Sequence, residues 1–485
     1  MLNPITPEIE AEFRRALPLK TFPELQDAYL QEPRGRYKAG DALLIAPSTT
    51  AEVAQVVKLA DTHAIGIVPY GGGTGLVGGQ IAENAPRHII LSMERMTAIT
   101  QVFPQENVLI AQAGAILHNI HQSADAVDRL FPLSLASEGS ARIGGCLATN
   151  AGGVNVLRYG NARDLCLGLE VVWPNGTIWN GLSRLRKDNT GYDLRHLMIG
   201  SEGTLGIITA ASLRLFAKPA RAGTALFVVE GPSAALNLMA MARDHMGEAI
   251  SAFELIHRQG LDFIAETLPD IRLPFPEPPE WVVLIDVGLP KALDPADTLL
   301  QLFEDAQKLG LVHDGLIAQS EQQRAEFWSI REHIPEANRR IGSVSSHDIS
   351  VPLGCIAEFI DRGRDVIRSI GDFRINCFGH LGDGNLHYNV FPMPGKSRAD
   401  HQHQRDQIKS AVHDLTHKMG GSVSAEHGVG RLKVGDLERF SDPAKLQTMR
   451  AIKAAIDPKG IMNPGAVLRD IELRQTNLRK DLDAL

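Results

Sequence analysis

The residues with the most evident chemistry flank a turn-rich stretch in the second half of the chain. Residues 375–391 read INCFGHLGDGNLHYNVF, with His380 and His387 on either side of LGDGNL. This spacing would fit one face of a helix, but the Gly, Asp and Asn residues between the histidines are turn formers and favour strand, turn and strand. Such a hairpin would bring both imidazoles to metal-ligand distance, with Asn389 on the face of His387. The alternative is a pair of ordinary packed or surface histidines.

A second segment offers further ligands. Residues 422–430 read SVSAEHGVG and supply Glu426 and His427. Histidine and carboxylate ligands without a thiolate suit a divalent ion such as Zn²⁺, Mn²⁺ or Fe²⁺, and three protein ligands leave one coordination position open for a substrate. The pattern therefore predicts a divalent-metal site. The histidines of HQHQ, residues 401–404, lie in a highly polar stretch, and we expect them to be solvated.

A glycine-rich segment in the first half of the chain points to a different ligand. In PYGGGTGLVGG, residues 69–79, Gly73, Gly75 and Gly78 satisfy the GxGxxG pattern of dinucleotide-binding loops. A Rossmann unit also needs a crossover helix, and the roughly nine residues before the next strand leave no room for one. A P-loop is excluded because no GK[ST] sequence follows. What remains is a nest of backbone N–H groups that suits an anion such as a pyrophosphate.

Two further glycine-rich segments indicate that the ligand is large, and one arginine indicates an acidic substrate. Residues 137–153 and 200–209 are also glycine-rich. Each segment alone fits an ordinary tight turn equally well, but three in one domain favour an extended ligand such as a dinucleotide. Arg331, on the helical pattern of residues 327–340, offers a bidentate guanidinium for a carboxylate. An exposed arginine on an amphipathic helix is the alternative.

Composition limits the partners and the compartment. The 485 residues predict roughly two to four domains, and 44% hydrophobic with 22% charged residues is typical of a globular chain. A net charge of -8 argues against nucleic acid as the main partner. The four cysteines form no CxxC pair, which excludes a cysteine-only metal cluster and favours a reducing compartment. Without a signal-peptide pattern or an apolar run of about eighteen residues, we expect a cytoplasmic protein with no transmembrane segment.

The elements that must position these residues fall into two α+β regions. Residues 42–216 alternate short apolar strands with glycine-rich connections. A strand, helix, strand pattern begins after Pro219, and a proline-rich loop is predicted at 268–280. Residues 405–456 return to helical periodicity, which the glycines at 420–430 interrupt.

Together these motifs resemble the flavin domain of FAD-linked oxidoreductases of the vanillyl-alcohol oxidase type, in their D-2-hydroxyacid dehydrogenase branch. The resemblance is carried by PYGGGTGLVGG, IGGCLATNAGG, RYGNARD and GSEGTLGIIT and covers most of residues 40–468. It implies an α+β fold with a two-part FAD-binding domain, an α+β substrate (cap) domain and a helical C-terminal segment that returns to the FAD domain. The implied bounds are 1–37 for an N-terminal helical segment, 38–216 for the FAD-binding domain, 217–410 for the substrate and metal-binding cap domain, and 411–485 for the C-terminal segment.

The resemblance also implies how FAD is held. Some relatives attach flavin covalently through a histidine in the first glycine segment, but residues 69–79 contain none, so non-covalent FAD is implied. The residues implied to bind FAD are Pro69, Gly71, Gly72, Gly73, Thr74, Gly75, Ser140, Gly145, Thr149, Asn150, Gly153, Glu202, Ile208 and Asn463.

GHLGDGNLH and SAEHG match the metal and catalytic motifs of this family. The resemblance therefore implies that His380, His387 and Glu426 hold a divalent metal, with Zn²⁺ as the first choice and Mn²⁺ or Fe²⁺ as alternatives. His427 would be the catalytic base, and Asn389 would belong to the same site.

The family's motif also supports Arg331 as the residue that binds the substrate carboxylate. Relatives usually carry a lysine just before HDxSVP, where this chain has Ser346 in SSHDISVP. Because that cation is missing, the resemblance does not carry over recognition of a second substrate carboxylate, nor therefore a substrate name.

The implied function is oxidation of a D-2-hydroxyacid to a 2-oxoacid by hydride transfer to FAD, with a divalent metal. Electrons would then pass to an external acceptor, such as an electron-transfer protein, a cytochrome or a quinone, and a homodimer is an expected assembly. Two alternatives stay open. One is a metal-dependent hydrolase whose glycine loops only shape the scaffold. The other is a flavin subunit that is active only within a larger glycolate- or lactate-oxidising complex.

Overall fold

The computed structural model describes residues 2–83 and 85–469, and these form two compact units. The first unit comprises the described residues of Met1–Gly153, Asn161–Lys218 and Glu426–Leu485, and the second comprises Val154–Gly160 and Pro219–Ala425. The three glycine-rich segments therefore belong to the first unit, and the histidine hairpin belongs to the second. The part of the predicted C-terminal helical segment after residue 469 lies outside the described residues.

The described residues contain both helices and strands. The strands are β1 Ala42–Ile45, β2 Ile67–Tyr70, β3 His88–Ser92, β4 Ile99–Phe103, β5 Val108–Gln112, β6 Arg129–Leu130, β7 Cys166–Val172, β8 Ile178–Gly181, β9 Ile207–Arg214, β10 Phe216–Ala217, β11 Arg221–Val229, β12 Ile250–His257, β13 Trp281–Leu289, β14 Val312–Ile317, β15 Ser345–Ser350, β16 Arg374–His380 and β17 Asn385–Phe391. The α-helices are α1 Pro7–Ala16, α2 Thr50–His63, α3 Leu117–Asp125, α4 Ile143–Ala148, α5 Val156–Tyr159, α6 Leu194–Met198, α7 Pro232–Met246, α8 Arg258–Thr267, α9 Pro295–Lys308, α10 Glu321–Ile341, α11 Ile356–Ile370, α12 Arg405–Lys418, α13 Val434–Phe440 and α14 Pro443–Ile456. Short 3₁₀ turns occupy Leu19–Thr21, Asp27–Tyr29, Gly247–Ala249, Leu353–Cys355, Leu381–Asp383 and Arg398–Gln404. Among the residues described, no helix is both long and apolar enough to cross a membrane.

The first unit contains a three-stranded parallel sheet of order β1-β3-β2 and a five-stranded antiparallel sheet of order β4-β5-β9-β7-β8. Strands β1 and β3 are buried along their whole length and mainly apolar, as expected of parallel strands covered on both faces. Residues 71–87 join the parallel strands β2 and β3, and their described part contains no helix. This confirms that the first glycine segment is not a Rossmann crossover.

The C-terminal loop of the first unit returns to its parallel sheet. Ile67 of β2 donates its N–H to the carbonyl oxygen of Ile461 (2.8 Å), and Asn463 donates its N–H to the carbonyl oxygen of Ile67 (2.8 Å). The backbone of residues 461–463 therefore extends the edge of this sheet next to the strand from which the first glycine segment emerges.

The second unit is built on a seven-stranded sheet of order β14-β11-β13-β12-β16-β17-β15, in which neighbouring strands are antiparallel. Because side chains alternate along each strand, the sheet has two apolar faces. Helices α8 and α10 pack on one face, where Leu284 and Phe378 meet Ile330. Helices α7, α9, α11 and α12 supply the core of the other face, which includes Phe253 and Tyr388.

The predicted histidine hairpin is confirmed. Strand β16 ends at His380, a single turn covers Leu381–Asp383, and β17 begins two residues before His387. Gly384 closes the turn at φ +83°, where a Cβ would lie 2.3 Å from the carbonyl oxygen of Val351, so only glycine fits there. The predicted irregular loop at 268–280 is also confirmed.

Candidate cofactor cleft and histidine pair

The three glycine-rich segments of the first unit line one cleft. Its empty volume is about 1060 Å³, including space open to solvent, which suits a large ligand. Among the residues predicted to act at the site, those that line the cleft are Pro69, Gly71, Gly72, Gly73, Thr74, Gly75, Gly145, Thr149, Glu202, Ile208, His427 and Asn463.

The first glycine segment presents its backbone to this cleft. Within the described part of the chain, no N–H group of residues 71–75 donates a hydrogen bond to another residue. A Cβ on Gly72 would lie 2.1 Å from the carbonyl oxygen of Ser140, so the segment packs directly on the second glycine-rich segment. A Cβ on Gly145 would meet nothing within 4 Å, and it would therefore take up cleft space. Free N–H groups beside glycine-lined space fit the pyrophosphate of a dinucleotide.

A buried polar network ties the loops around the cleft together. The carboxylate of Glu202 accepts the N–H groups of Val429 and Gly430, both at 2.7 Å. Asn463 donates its amide N–H to the carbonyl oxygens of Gly79 (3.0 Å) and Glu202 (2.8 Å). Burial raises the pKa of Glu202, and the two backbone N–H groups oppose that rise. The network fixes the third glycine-rich segment to the loop that carries His427.

Arg431 completes this network, although the sequence had not marked it as a site residue. Its guanidinium donates to the carbonyl oxygens of Gly78 (3.0 Å) and Gly79 (2.9 Å) and to the side-chain oxygen of Asn463 (2.9 Å). One arginine thus joins the first glycine segment to two C-terminal loops of the same unit.

Three of the residues predicted to bind FAD are not among those that line the cleft. Ser140 supports the first glycine segment through its carbonyl oxygen, as described above. The side chain of Asn150 accepts the N–H of Arg163 (3.0 Å), and Gly153 donates its N–H to the carboxylate of Glu426 (3.0 Å). These residues shape the loops that border the cleft.

The sequence did not single out several other cleft residues. Tyr70 lies at the end of β2, and a Cβ on Gly73 would come 2.2 Å from its hydroxyl oxygen. Gln80 donates its amide N–H to the carbonyl oxygen of Gly75 (2.9 Å), which holds the first glycine segment in shape. Gln80 directly follows that segment in the sequence, and this adjacency is the signal that could have found it.

In the second unit, the two hairpin histidines face each other. The ring centroids of His380 and His387 are 5.6 Å apart, and their planes are nearly perpendicular. Phe378 lies opposite His387 in the strand register and packs against its ring at 5.0 Å. Asn389 is two residues beyond His387 on the same strand, so both side chains project from one sheet face, as predicted.

A residue that the sequence analysis missed connects this pair to Arg331. Glu254 of β12 lies opposite His380 in the strand register and is only 1% exposed. Its carboxylate oxygens lie 2.6 Å from Nδ1 of His380 and 2.7 Å from Nε of Arg331. Burial alone would raise the pKa of Glu254, but His380 and Arg331 outweigh it and lower this pKa to about 2. The carboxylate is therefore ionised.

Arg331 is buried, contrary to the alternative of an exposed helix arginine. It lies on α10 with 6% exposure, and its guanidinium carbon is 4.8 Å from the ring centroid of Phe378. Within the described residues, Nε is the nitrogen of this guanidinium that donates a hydrogen bond, and the two Nη groups have no partner. The Nη groups are the ones that can bind a carboxylate in a bidentate manner.

The structure also describes Ser346 and the histidines of residues 401–404, which the sequence analysis discussed. Ser346 is exposed, lies opposite Asn389 in the β15–β17 register and shares a hydrogen bond of 2.7 Å with the hydroxyl of Ser343. The prediction that the histidines of residues 401–404 are solvated is wrong for His401. Its ring is buried against Phe373 at a centroid distance of 4.9 Å, because the polar stretch folds as a 3₁₀ turn over an apolar core.

Two known protein families together match most of the chain. The family described as "FAD binding domain" matches residues 42–181, and the family described as "FAD linked oxidases, C-terminal domain" matches residues 218–467. A protein of Oryza sativa subsp. indica named "Probable D-2-hydroxyglutarate dehydrogenase, mitochondrial" is 37% identical over 439 residues, which cover 90% of this chain and 76% of the relative. The "D-2-hydroxyglutarate dehydrogenase" of Xanthomonas citri pv. viticola is 34% identical over 93% of this chain and 94% of its own.

A solved structure supports the fold. The structure of p-cresol methylhydroxylase with substrate bound matches with a TM-score of 0.75 and 17% identity, over 97% of this chain and 99% of its own. The predicted α+β fold of the vanillyl-alcohol oxidase type is therefore confirmed. The match to an FAD binding domain spans the first two glycine-rich segments, and it argues against the hydrolase alternative. From its sequence relatives and its fold together, the chain belongs to the FAD-linked D-2-hydroxyacid dehydrogenases of the vanillyl-alcohol oxidase type and is an FAD-dependent oxidoreductase.

Proposed function

We propose that the protein oxidises a D-2-hydroxyacid to the 2-oxoacid with the help of a divalent metal held by His380, His387 and Glu426. The observation that carries the proposal is the convergent histidine pair, whose ring centroids are 5.6 Å apart and in which a buried carboxylate contacts Nδ1 of His380 at 2.6 Å. Because the relatives above are named for D-2-hydroxyglutarate, this acid is the first substrate to test.

The donor set supports a divalent metal. Each of the three residues offers one ligand atom, two imidazole nitrogens and one carboxylate oxygen, and such a set suits Zn²⁺ first, with Mn²⁺ and Fe²⁺ as alternatives. The chain leading to Glu426 is anchored in the second unit, because Ala425 donates its N–H to the carbonyl oxygen of Asp348 (3.3 Å). Asp348 in turn lies opposite His387 in the strand register. The match of SAEHG to the family's motif makes Glu426 the proposed third ligand.

The reaction needs a group that lowers the pKa of the substrate hydroxyl. A hydroxyl with a pKa near 15.7 costs about 12 kcal/mol to ionise at pH 7, at about 1.36 kcal/mol per pKa unit. A bound divalent ion supplies the missing stabilisation, since it can lower the pKa of a coordinated water to about 7. His427 is proposed to take the hydroxyl proton, because histidine is the side chain that most often serves as a general base. Its place in the lining of the cofactor cleft supports this role.

The remaining residues are proposed to bind and orient the substrate and FAD. The free Nη groups of Arg331 are proposed to hold the substrate carboxylate, and the N–H groups of residues 71–75 to hold the FAD pyrophosphate non-covalently. FAD supplies the hydride acceptor when it is bound. An electron-transfer protein, a cytochrome or a quinone is proposed to reoxidise it. The cytoplasmic location and the homodimer stay predictions.

Anaerobic bleaching of the flavin absorbance tests the proposal. Purified protein should carry FAD, and a panel of D- and L-2-hydroxyacids should show bleaching by D acids alone. A chelator should abolish bleaching without releasing FAD, and Zn²⁺ or Mn²⁺ should restore it. Bleaching at full rate after complete removal of the metal would contradict the metal's role. FAD that no hydroxyacid reduces would instead favour the flavin subunit of a larger complex.

A further inference from the structure

We propose that Glu254 is a positioning residue that sets two parts of the site at once. Through His380 it fixes which imidazole nitrogen is offered to the metal, and through Arg331 it fixes which edge of the guanidinium is offered to the substrate carboxylate. The inference rests on the proposed metal-dependent oxidation and extends it to a residue that touches neither metal nor substrate.

The position of Glu254 follows from the sheet. In β12, which reads ISAFELIH, Glu254 is the one acidic residue, and all positions except the last are buried. Its register partners are His380 on β16 and Leu284 on β13. Directly opposite residues in an antiparallel pair project from the same face, so the strand register places the carboxylate beside the imidazole. An isolated charge at such a site is costly unless it is paired, and both oxygens of Glu254 are paired.

The contact with His380 orients the imidazole. Nδ1 of His380 lies 2.6 Å from a carboxylate oxygen of Glu254, and Nε2 lies on the opposite side of the ring. Nε2 is therefore the nitrogen that this orientation presents to an ion. Metal-bound histidines commonly donate their second N–H to a carboxylate, which fixes the ring and makes it a stronger ligand.

The contact with Arg331 determines which edge of the guanidinium is free. Nε donates to Glu254 at 2.7 Å, and the plane of the guanidinium is packed near the ring of Phe378. The two Nη groups then form the free edge, whose fork geometry matches a carboxylate. A single buried carboxylate thus links the predicted metal ligand to the predicted substrate ligand.

A second buried carboxylate in the same sheet provides an internal control. Asp286 of β13 is 6% exposed and accepts hydrogen bonds from Arg324 (3.1 Å), Trp328 (3.1 Å) and Thr224 (2.6 Å). Asp286 and Glu254 are thus both buried acids paired with an arginine of α10. Glu254 contacts the candidate metal ligand His380, whereas the hydrogen bonds of Asp286 described above go to residues outside the candidate site.

The experiment compares Glu254→Gln with wild type and with Asp286→Asn, each as FAD-loaded protein. The first readout is the Zn²⁺ dissociation constant from competition with a chelator. We expect Glu254→Gln to weaken Zn²⁺ binding about 10- to 100-fold, the range for lost carboxylate partners of metal-bound histidines. The second readout is KM for the hydroxyacid that best bleaches the flavin, which should rise because Arg331 loses its anchor. FAD content should stay at the wild-type level.

The control separates positioning from stability. Asp286→Asn should lower the unfolding midpoint in urea and leave Zn²⁺ affinity and KM unchanged. Equal Zn²⁺ affinity in Glu254→Gln and wild type would overturn the inference while leaving the proposed function intact. Wild-type protein that binds neither Zn²⁺ nor Mn²⁺ would instead overturn the metal part of the proposed function.

A milder variant covers the case in which Glu254→Gln does not fold. Glu254→Asp keeps the charge, but its side chain is one methylene shorter and cannot reach both His380 and Arg331 as before. We expect Zn²⁺ affinity or KM to shift in this variant while FAD content stays constant. Wild-type values for both quantities would count against a positioning role.

Discussion

The two units present their binding groups in opposite ways. In the first unit the cleft is formed mainly by backbone, with free N–H groups at residues 71–75 and glycines such as Gly145 where a side chain would fill the space. In the second unit the candidate ligands are side chains on one face of a rigid sheet, held by register and by a buried carboxylate. Substitutions that add a side chain in the cleft should therefore weaken FAD binding. Substitutions that remove or replace a side chain on the sheet face should weaken metal binding.

His427 is the exception that sharpens this contrast, because it is a side chain with proposed chemistry in the backbone-built cleft. We expect His427→Ala to slow flavin reduction by about 100-fold or more, the scale of lost general-base catalysis, with FAD still bound. Stopped-flow measurement of the anaerobic bleaching rate gives the effect. His118→Ala, an exposed histidine of the same unit, serves as the control and should reduce at the wild-type rate. Near-normal reduction in His427→Ala would remove it as the base.

His380→Ala tests the sheet face. The loss of a direct ligand should weaken Zn²⁺ binding by at least about 100-fold, more than the loss of a partner of a ligand would. The FAD content of the variant should stay normal, because the cleft of the first unit does not contain this residue. Metal analysis and flavin absorbance of the same sample measure both quantities. His403→Ala, an exposed histidine of the same unit, should keep both. Full metal occupancy in His380→Ala would exclude it from the ligand set.

Gly145→Val makes the reciprocal test in the cleft. A Cβ on Gly145 meets nothing within 4 Å in the protein, and Gly145 lines the cleft, so we expect the valine side chain to take up cleft space. FAD binding should therefore weaken by about 10-fold or more while Zn²⁺ binding is retained. A titration of the apoprotein with FAD gives the dissociation constant. Gly139→Val is the matched control, because a Cβ there is also unobstructed and Gly139 does not line the cleft. Unchanged FAD affinity in Gly145→Val would show that the cofactor lies elsewhere.

The smallest effect is expected at Ser346. A lysine there supplies the cation that the resemblance to the family led us to expect, at the position opposite Asn389 on the sheet. A partly exposed ion pair is worth about 1 kcal/mol, so Ser346→Lys should lower KM for dicarboxylic hydroxyacids about 5-fold relative to monocarboxylic ones. Ser346→Met controls for side-chain size. A parallel change in KM for both acid classes would show that Ser346 does not face the second carboxylate.

Local sequence patterns were sufficient for much of this fold. The hairpin between His380 and His387 was predictable because glycine, aspartate and asparagine specify a turn over a few residues. The lack of a Rossmann crossover was predictable because the few residues between Gly79 and the next strand leave no room for a crossover helix. In both cases the deciding residues are neighbours in the chain.

Glu254 and Arg431 were not predictable in the same way. A single acid in the apolar strand ISAFELIH does signal a buried, paired charge, but Asp286 in WVVLIDVG gives the same signal. The register that places Glu254 beside His380 joins residues 126 positions apart, and no local pattern specifies it. Arg431 likewise gains its role from carbonyl groups more than 350 positions away.

The backbone N–H groups of residues 71–75, between β2 and β3, affect how the stability of the protein depends on its cofactor. Within the described structure the N–H groups of residues 71–75 have no protein partner, so the proposed FAD would satisfy hydrogen-bond donors that the polypeptide leaves unsatisfied. Any ligand restricted to the native state adds RT ln(1 + [L]/Kd) to its stability, which is about 2.7 kcal/mol at one hundred times Kd. The melting temperature should therefore climb with the concentration of free FAD, and starvation for riboflavin should shorten the lifetime of the chain in the cell.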